Sequence, residues 1–180
     1  YQLRSASQMK KWAVGSLLSG RSVTQHCFYA KELQQQIDEY LDQHDPVAVV
    51  SFCSSTADYL YRSRHPFETL QDKVLLNDLI DVDSVKWAQY AEKHKGFMGW
   101  IYRREARLLA ACEAKIVASF DCTFLVSEEE RQVLSQHASI EKVEALSNGV
   151  DLAYFSPEKV DKQQHPTAAC KLVFSGAMDY

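Results

Sequence analysis

The sequence lacks several features that would place it in a common class. It has no run of 18 apolar residues, so no segment is expected to span a bilayer. Its formal net charge is −4, which provides no overall basicity for binding nucleic acid. Hydrophobic residues make up 46% of the 180 positions, enough for the core of one folded domain. We therefore expect a globular protein with no nucleic-acid partner.

Cysteine and histidine show no spacing that would bind a metal. The five cysteines are odd in number and lack a paired C-x-x-C pattern, which argues against a disulfide framework or a structural zinc site. The six histidines show no H-E-x-x-H or other ligand spacing. Neither a metal nor another cofactor is expected, and reduced thiols are the default for a cytoplasmic protein.

Short apolar runs alternate with longer stretches of helical periodicity. A run from residue 74, which includes Asp78, has the character of a strand, as do the runs at 47–53, 122–126 and 143–147. Helical patterns cover residues 8–18, 28–44 and 100–117, and others begin near Ser84 and Ser127. This alternation predicts an α/β fold: a Rossmann-like, three-layer α/β/α architecture with a mostly parallel sheet. Residues 47–53 are expected to be a buried parallel strand.

A polar loop separates the second strand from its helix. Ligands of parallel α/β sheets bind beyond the carboxyl ends of the strands, where Asp81, Asp83 and Ser84 would lie. Asp83 or Ser84 could alternatively serve only as the N-cap of the helix. Asp81 is harder to explain in this way, because one helix needs only one cap.

Four further features carry predictions, and the first two have two interpretations each. Arg103, Arg104 and Arg107 oppose the helix dipole, so they either bind an anionic ligand or lipid headgroups, or form a solvated face paired with Glu105. The neighbouring Phe97, Met98 and Trp100 suit an interfacial anchor or a packed helix entry. Asn148-Gly149 can be a type I′ hairpin turn. Ser127 with Glu130 predicts a capping box.

Several motifs at matching spacing resemble a known family. Asp81-Val82-Asp83-Ser84-x-Lys86-Trp87 precedes Trp100-Ile101-Tyr102-Arg103-Arg104-Glu105, and Phe120-Asp121 with Phe124-Leu125-Val126-Ser127 precedes Asn148-Gly149-Val150-Asp151 and Phe155-x-Pro157. In these stretches, and in residues 172–180, the chain resembles a bacterial sugar-transferase family associated with exopolysaccharide synthesis. That family is of the glycosyltransferase family 4 type and has the two-Rossmann-domain architecture called GT-B.

The resemblance implies a division of the chain. Residues 1–157 would be part of an N-terminal acceptor-side Rossmann-like domain, 158–170 an interdomain linker, and 171–180 the first strand of a truncated C-terminal donor-binding domain. The family's N-terminal opening strand and its acidic donor-binding motif have no match here. We therefore expect a fragment, inactive by itself, of a retaining hexosyltransferase that works in the cytoplasm or peripherally on the inner face of the cytoplasmic membrane.

The resemblance also implies substrates and site residues. The substrates would be a nucleotide-sugar donor and a saccharide or lipid-linked saccharide acceptor. Residues near the reacting centre would be Asp81, Asp83 and Lys86. Substrate-binding residues would be Ser84, Trp87, Arg103, Arg104, Asn148, Gly149, Asp151 and Gly176.

Two other functions remain open on the sequence. A non-catalytic Rossmann-like module could bind a partner or a membrane through the surface from Trp100 to Arg107, and lipid-vesicle co-sedimentation would discriminate it. A nucleotide-sugar epimerase would be supported by a G-x-G-x-x-G fingerprint, which is absent. Half of a doubly wound sheet would leave an unpaired edge, so residues 47–53 or 171–176 are expected to make swapped or homodimer contacts.

Overall fold

The structure is a computed structural model that describes residues 15–16, 20–70 and 72–156. The predicted helix over 8–18 is therefore seen only at residues 15–16, which are helical. The predicted linker (158–170) and the strand at 171–180 with Gly176 lie outside the described residues. Residues 15–147 and 148–156 belong to two separate compact units.

The described elements alternate as the sequence predicts. The strands are β1 (Ala48–Phe52), β2 (Val74–Ile80), β3 (Cys122–Leu125) and β4 (Val143–Ala145). The helices are α1 (Val23–Phe28), α2 (Lys31–Gln43), α3 (Cys53–Arg62), α4 (Asp83–Lys93), α5 (Gly96–Ser119) and α6 (Glu128–Leu134), with a 3₁₀ turn at Phe67–Leu70.

The four strands form one parallel sheet in the order β1-β2-β3-β4. This confirms the predicted α/β class: an all-parallel sheet with flanking helices, consistent with a Rossmann-like three-layer fold. Buried side chains of α3, α5 and α6 pack with those of β2 and β3 in a single core that includes Ala57, Leu75, Leu79, Ile116, Leu125 and Leu134.

Helix α5 carries two carboxylates into this core. The apolar pattern of this helix predicts an inner line of Ile101, Leu108, Cys112 and Ile116. The buried side chains instead include Glu105, Leu109 and Glu113 as well as Cys112 and Ile116. Glu105 accepts hydrogen bonds from the N–H groups of Val23 (2.7 Å) and Thr24 (2.8 Å), the first residues of α1. The interpretation that pairs Glu105 with the arginines is therefore wrong, because this carboxylate stabilises the N-terminus of another helix.

The helix predicted over 28–44 is present as α2, which starts at Lys31 because Tyr29 before it is extended. Its buried face differs from the predicted one. On α2 the buried side chains are Gln34 and Asp38, not the apolar line through Leu33. Gln34 donates to the carbonyl of Tyr59 on α3 (3.1 Å), so polar contacts hold that face of α2. The apolar residues of α2 instead face β1 across an open groove.

Strand β1 is an edge strand rather than a buried one. Among the described strands it pairs only with β2, and its side chains Val50 and Phe52 are 53% and 58% exposed. The prediction of burial fails because, among the described residues, the face of the sheet that carries Val50 and Phe52 is only partly covered; Val74 on the same face of the central strand β2 is likewise 49% exposed.

Candidate functional site

The carboxyl ends of β1 and β2 both finish in strained backbone. Cys53 (φ 60°) and Ile80 (φ 69°) are the non-glycine residues with left-handed φ in the described part of the chain. Such a conformation is costly for a β-branched residue and persists only where the surroundings enforce it. The carboxyl edge of the sheet, where α/β ligands bind, thus contains both strained positions.

At the end of β2 the strain forms a tight turn. The Asp81 N–H donates to the Leu79 carbonyl (2.9 Å) across Ile80, which closes a three-residue turn. A register shift between Asp78 and Ile80 marks a bulge, and the Asp78 carboxylate accepts from the Ile80 N–H (3.1 Å). This turn directs the chain out of the sheet immediately before the predicted polar loop.

Two carboxylates from other helices hold the loop that follows. The Val82 N–H donates to Glu130 Oε2 (2.8 Å). Buried Glu113 accepts from both the N–H (2.9 Å) and the hydroxyl (2.6 Å) of Ser84, and it contacts Nε2 of His137 (2.8 Å). Burial raises the pKa of Glu113, while the bonds from Ser84 and His137 oppose that rise. The loop is therefore fixed at two backbone positions by side chains distant in sequence.

These contacts correct two capping predictions. Neither Asp83 nor Ser84 is the N-cap of α4; that position is Val82, without a side-chain cap. The Ser84 N–H, at the start of the helix, is satisfied by Glu113. For α6 the predicted cap is confirmed, since Ser127 accepts from the Glu130 N–H (3.2 Å). The other half of the predicted capping box is wrong, because the Glu130 carboxylate bonds to Val82 instead of returning to Ser127.

The three residues predicted near a reacting centre interact with one another. Asp81 and Lys86 are exposed, whereas Asp83 between them is half-buried. Burial raises the pKa of Asp83, the positive charge of Lys86 lowers it, and the negative charge of Asp81 raises it. A carboxylate with a perturbed pKa at the ligand-binding edge of a parallel sheet is a candidate for proton transfer or for orienting a hydroxyl group.

The charges around Asp83 give the first testable prediction. We expect carbon-13 NMR titration to place the pKa of Asp83 above its ordinary value. Lys86→Met should raise that pKa further, because it removes the opposing positive charge, and Asp81→Asn should lower it. An Asp83 pKa that neither substitution moves would show that the three groups do not form one electrostatic site.

The other predicted residues near α4 and α5 have structural partners. The ring of Trp87 packs against Tyr90 and Tyr102, with centroids 5.8 and 5.6 Å apart, between the two helices. Arg104 donates to the backbone carbonyls of Arg21 (3.0 Å) and Ser16 (3.1 Å). The hydroxyl of Ser84 is buried against Glu113. The side chains of Ser84, Trp87 and Arg104 therefore stabilise the packing around α4 and α5 and do not project from that surface.

Arg103 lies on an exposed surface beside an aromatic pair. Phe97 and Trp100 stack with centroids 5.9 Å apart and are 68% and 48% exposed. Arg103 and Lys95 line a depression between α4 and α5 together with the acidic Glu92. This surface combines exposed aromatic rings with cations, as its sequence suggests.

Asn148, Gly149 and Asp151 belong to the second unit, which is described by itself. Asp151 Oδ1 accepts from the Tyr154 N–H (2.9 Å), and its carbonyl accepts from the Phe155 N–H (2.9 Å). Asp151 thus begins a turn. The backbone at Asn148-Gly149 lies between β4 and that turn, with no strand after it up to residue 156, so the hairpin alternative is wrong for the described residues.

The sequence interpretation missed Glu113, Glu130 and His137 as residues that organise the loop. One signal was present, because Glu105 and Glu113 are eight residues apart on the stripe of α5 that also contains Leu109. A charged residue on an apolar stripe requires a buried partner. Within the described residues, no group of three or more histidine, cysteine or acidic side chains is placed to hold a metal ion.

The fold and the loop together define an α/β protein with a polar site at the carboxyl edge of its sheet. Comparisons with protein-family models, curated proteins and solved structures find no match. Among the helices that the structure describes, none combines the length and apolar character needed to cross a membrane.

Proposed function

We propose that this chain provides the acceptor-side domain of a retaining glycosyltransferase. The enzyme would move a sugar from a nucleotide-sugar donor to a saccharide or lipid-linked saccharide acceptor. The observation that carries the proposal is the loop with Asp81, Asp83 and Lys86, held at the carboxyl edge of a parallel sheet by Glu113 and Glu130. The motif resemblance in the sequence supplies the reaction class.

The loop offers groups suited to this reaction. Sugar transfer requires an oriented acceptor hydroxyl and stabilisation of the negative charge on the leaving diphosphate. Asp81 is exposed and could accept a hydrogen bond from the acceptor hydroxyl, and the cation of Lys86 could contact a phosphate. Asp83 is half-buried between them and interacts electrostatically with both. The backbone anchors keep these groups in a fixed geometry, which matters because catalysis depends on near-ångström positioning.

Two substitutions test these roles in the full-length protein. Asp81→Asn removes the negative charge with little change in shape, and Lys86→Ala removes the cation; each is expected to lower turnover by about tenfold or more. Asp72→Asn is a matched control, because Asp72 is an exposed carboxylate just before the opposite, amino end of β2. Its turnover should equal that of the wild type. Wild-type turnover in both Asp81→Asn and Lys86→Ala would remove the loop from the reaction.

A second candidate function is favoured by the surface around Trp100. The exposed, stacked rings of Phe97 and Trp100 beside Arg103 and Lys95 are the side chains expected at a lipid headgroup interface. A non-catalytic membrane-binding module would use this surface without the loop. Vesicles of anionic lipid that sediment with the wild type but not with a Trp100→Ser variant would support it, and such binding is also compatible with a transferase that takes a lipid-linked acceptor.

A further inference from the structure

The chain contains two asparagines, Asn77 and Asn148, in opposite environments. Asn77 is fully buried in β2, which pairs with β1 on one side and with β3 on the other. Asn148 follows β4 in a stretch without secondary structure, and every residue from 144 to 151 is exposed. The sheet and the core therefore hold Asn77 in place, whereas Asn148 lies in open, irregular chain.

Gly149 follows Asn148, and the backbone between them is open to rearrangement. Neither residue makes a hydrogen bond with another described residue. No atom lies within 4 Å of a Cβ added at Gly149, so the space beside its backbone is open. Glycine also adopts more backbone conformations than residues that have a Cβ atom. The backbone nitrogen of Gly149 can therefore approach Cγ, the carbonyl carbon of the Asn148 side chain.

We propose that Asn148-Gly149 is a site of spontaneous covalent modification, at which Asn148 is converted to aspartate and isoaspartate with water as the reactant. The Gly149 nitrogen loses its proton to hydroxide and forms a bond with Cγ of Asn148. The bond from Cγ to the side-chain nitrogen then breaks, and ammonia leaves after taking a proton from water. Water next opens the resulting cyclic imide at either of its two carbonyl groups. This inference does not depend on the proposed transferase activity.

Both products change the chain at a defined point. Each replaces a neutral amide with a carboxylate, so the formal net charge of −4 becomes one unit more negative. Isoaspartate also places the side-chain methylene group in the main chain, which lengthens the backbone at the residue where the second compact unit begins. The modified protein should therefore separate from the unmodified protein by ion exchange.

Incubation of the folded 180-residue protein at mildly alkaline pH tests this site, with proteolysis and mass spectrometry of the peptides that contain each asparagine. Asn148 is expected to convert, and faster as pH rises, because hydroxide removes the Gly149 proton. Asn77 should remain intact, because the paired strands hold its backbone extended. A synthetic peptide of residues 144–153 gives the rate for an unrestrained chain. The folded protein should react at the rate of this peptide.

Substitution of Gly149 tests the route of the reaction. Gly149→Val fits the open space and should fold, but its β-branched side chain restricts the backbone and should slow the conversion by about tenfold or more. Val150→Ala leaves both reacting residues unchanged and is the matched control, which should react like the wild type. Circular dichroism shows whether each variant is folded. Intact Asn148 in the folded wild type after the peptide has reacted, or equal rates in the wild type and folded Gly149→Val, would overturn the proposal.

Discussion

Replacing Glu113 with alanine is expected to destabilise the protein by about 3–5 kcal/mol, because removal of one partner from a buried polar network leaves the others unsatisfied. The carboxylate is fully buried and receives hydrogen bonds from the Ser84 N–H and hydroxyl, and it also contacts His137. All three groups would lose their partner in the interior. The free energy of unfolding of a domain of this size is about 5–15 kcal/mol, so a large part of the protein's stability would be lost. Urea denaturation measures this directly.

A surface glutamate provides the matched control. Glu128 also accepts a hydrogen bond from another side chain, Arg131 (2.9 Å), but it is exposed, so Glu128→Ala should lower the free energy of unfolding far less than Glu113→Ala does. A loss below about 1 kcal/mol for Glu113→Ala would mean that the network does not stabilise the fold.

Glu113 also predicts a dependence of stability on pH. Because burial raises the pKa of this carboxyl in the folded state, its contribution is complete below the ordinary pKa of glutamate. The contribution is lost as pH increases through the raised folded-state pKa. Glu113→Gln cannot ionise at this position, so the corresponding fall in the free energy of unfolding with rising pH should be absent in that variant. An identical pH profile in the wild type and Glu113→Gln would contradict the raised pKa.

The second large effect is expected at Gly99, where α5 passes close to the end of α4. A Cβ atom at this position would lie 2.2 Å from the carbonyl oxygen of His94. Alanine improves helix propensity by up to about 1 kcal/mol over glycine, but the clash is with backbone that cannot rotate away, so the steric effect should dominate. Gly99→Ala should therefore destabilise by about 1–3 kcal/mol net. It should also loosen the packing of Trp87 against Tyr102 between the two helices.

The matched control for Gly99 is Gly149. No atom lies within 4 Å of a Cβ added there, so Gly149→Ala should leave the free energy of unfolding within about 0.5 kcal/mol of the wild type. Thermal and urea unfolding of both variants, with tryptophan fluorescence as a second readout, would test the difference. Equal stability of the two variants would show that α4 and α5 can separate without cost. Gly96, with left-handed φ (66°), begins α5 after the break that follows α4, whereas Gly99 lies inside α5.

Local patterns predict the elements of this protein well. The run that begins at Val74 predicts β2 because its apolar residues are adjacent in sequence, and the polar residues after it predict the loop with Asp81. Helix α6 begins where Ser127 and the following acids predict it. In each case the physical cause lies within a few residues, so a single sequence contains the necessary information.

The partners of these elements could not be predicted in the same way. Ser84 and Glu113 are 29 residues apart, and Val82 and Glu130 are 48 apart, so their bonds depend on how helices pack across the sheet. The sequence predicts that Glu130 completes a capping box, because it lies three residues after Ser127 and that local role suits its position. The exposure of β1 likewise depends on its neighbours and not on its own apolar composition.

We propose that the loop from Asp81 to Lys86 serves a retaining transfer of sugar from a nucleotide donor. To test this, the full-length protein is incubated with nucleotide sugars and a lipid-linked saccharide acceptor, and the anomeric configuration of the product is determined by proton NMR. We expect transfer from one nucleotide sugar, with the donor's configuration retained and with turnover reduced in Asp81→Asn. Folded protein that transfers no sugar from any nucleotide donor, or that inverts the configuration, would contradict it.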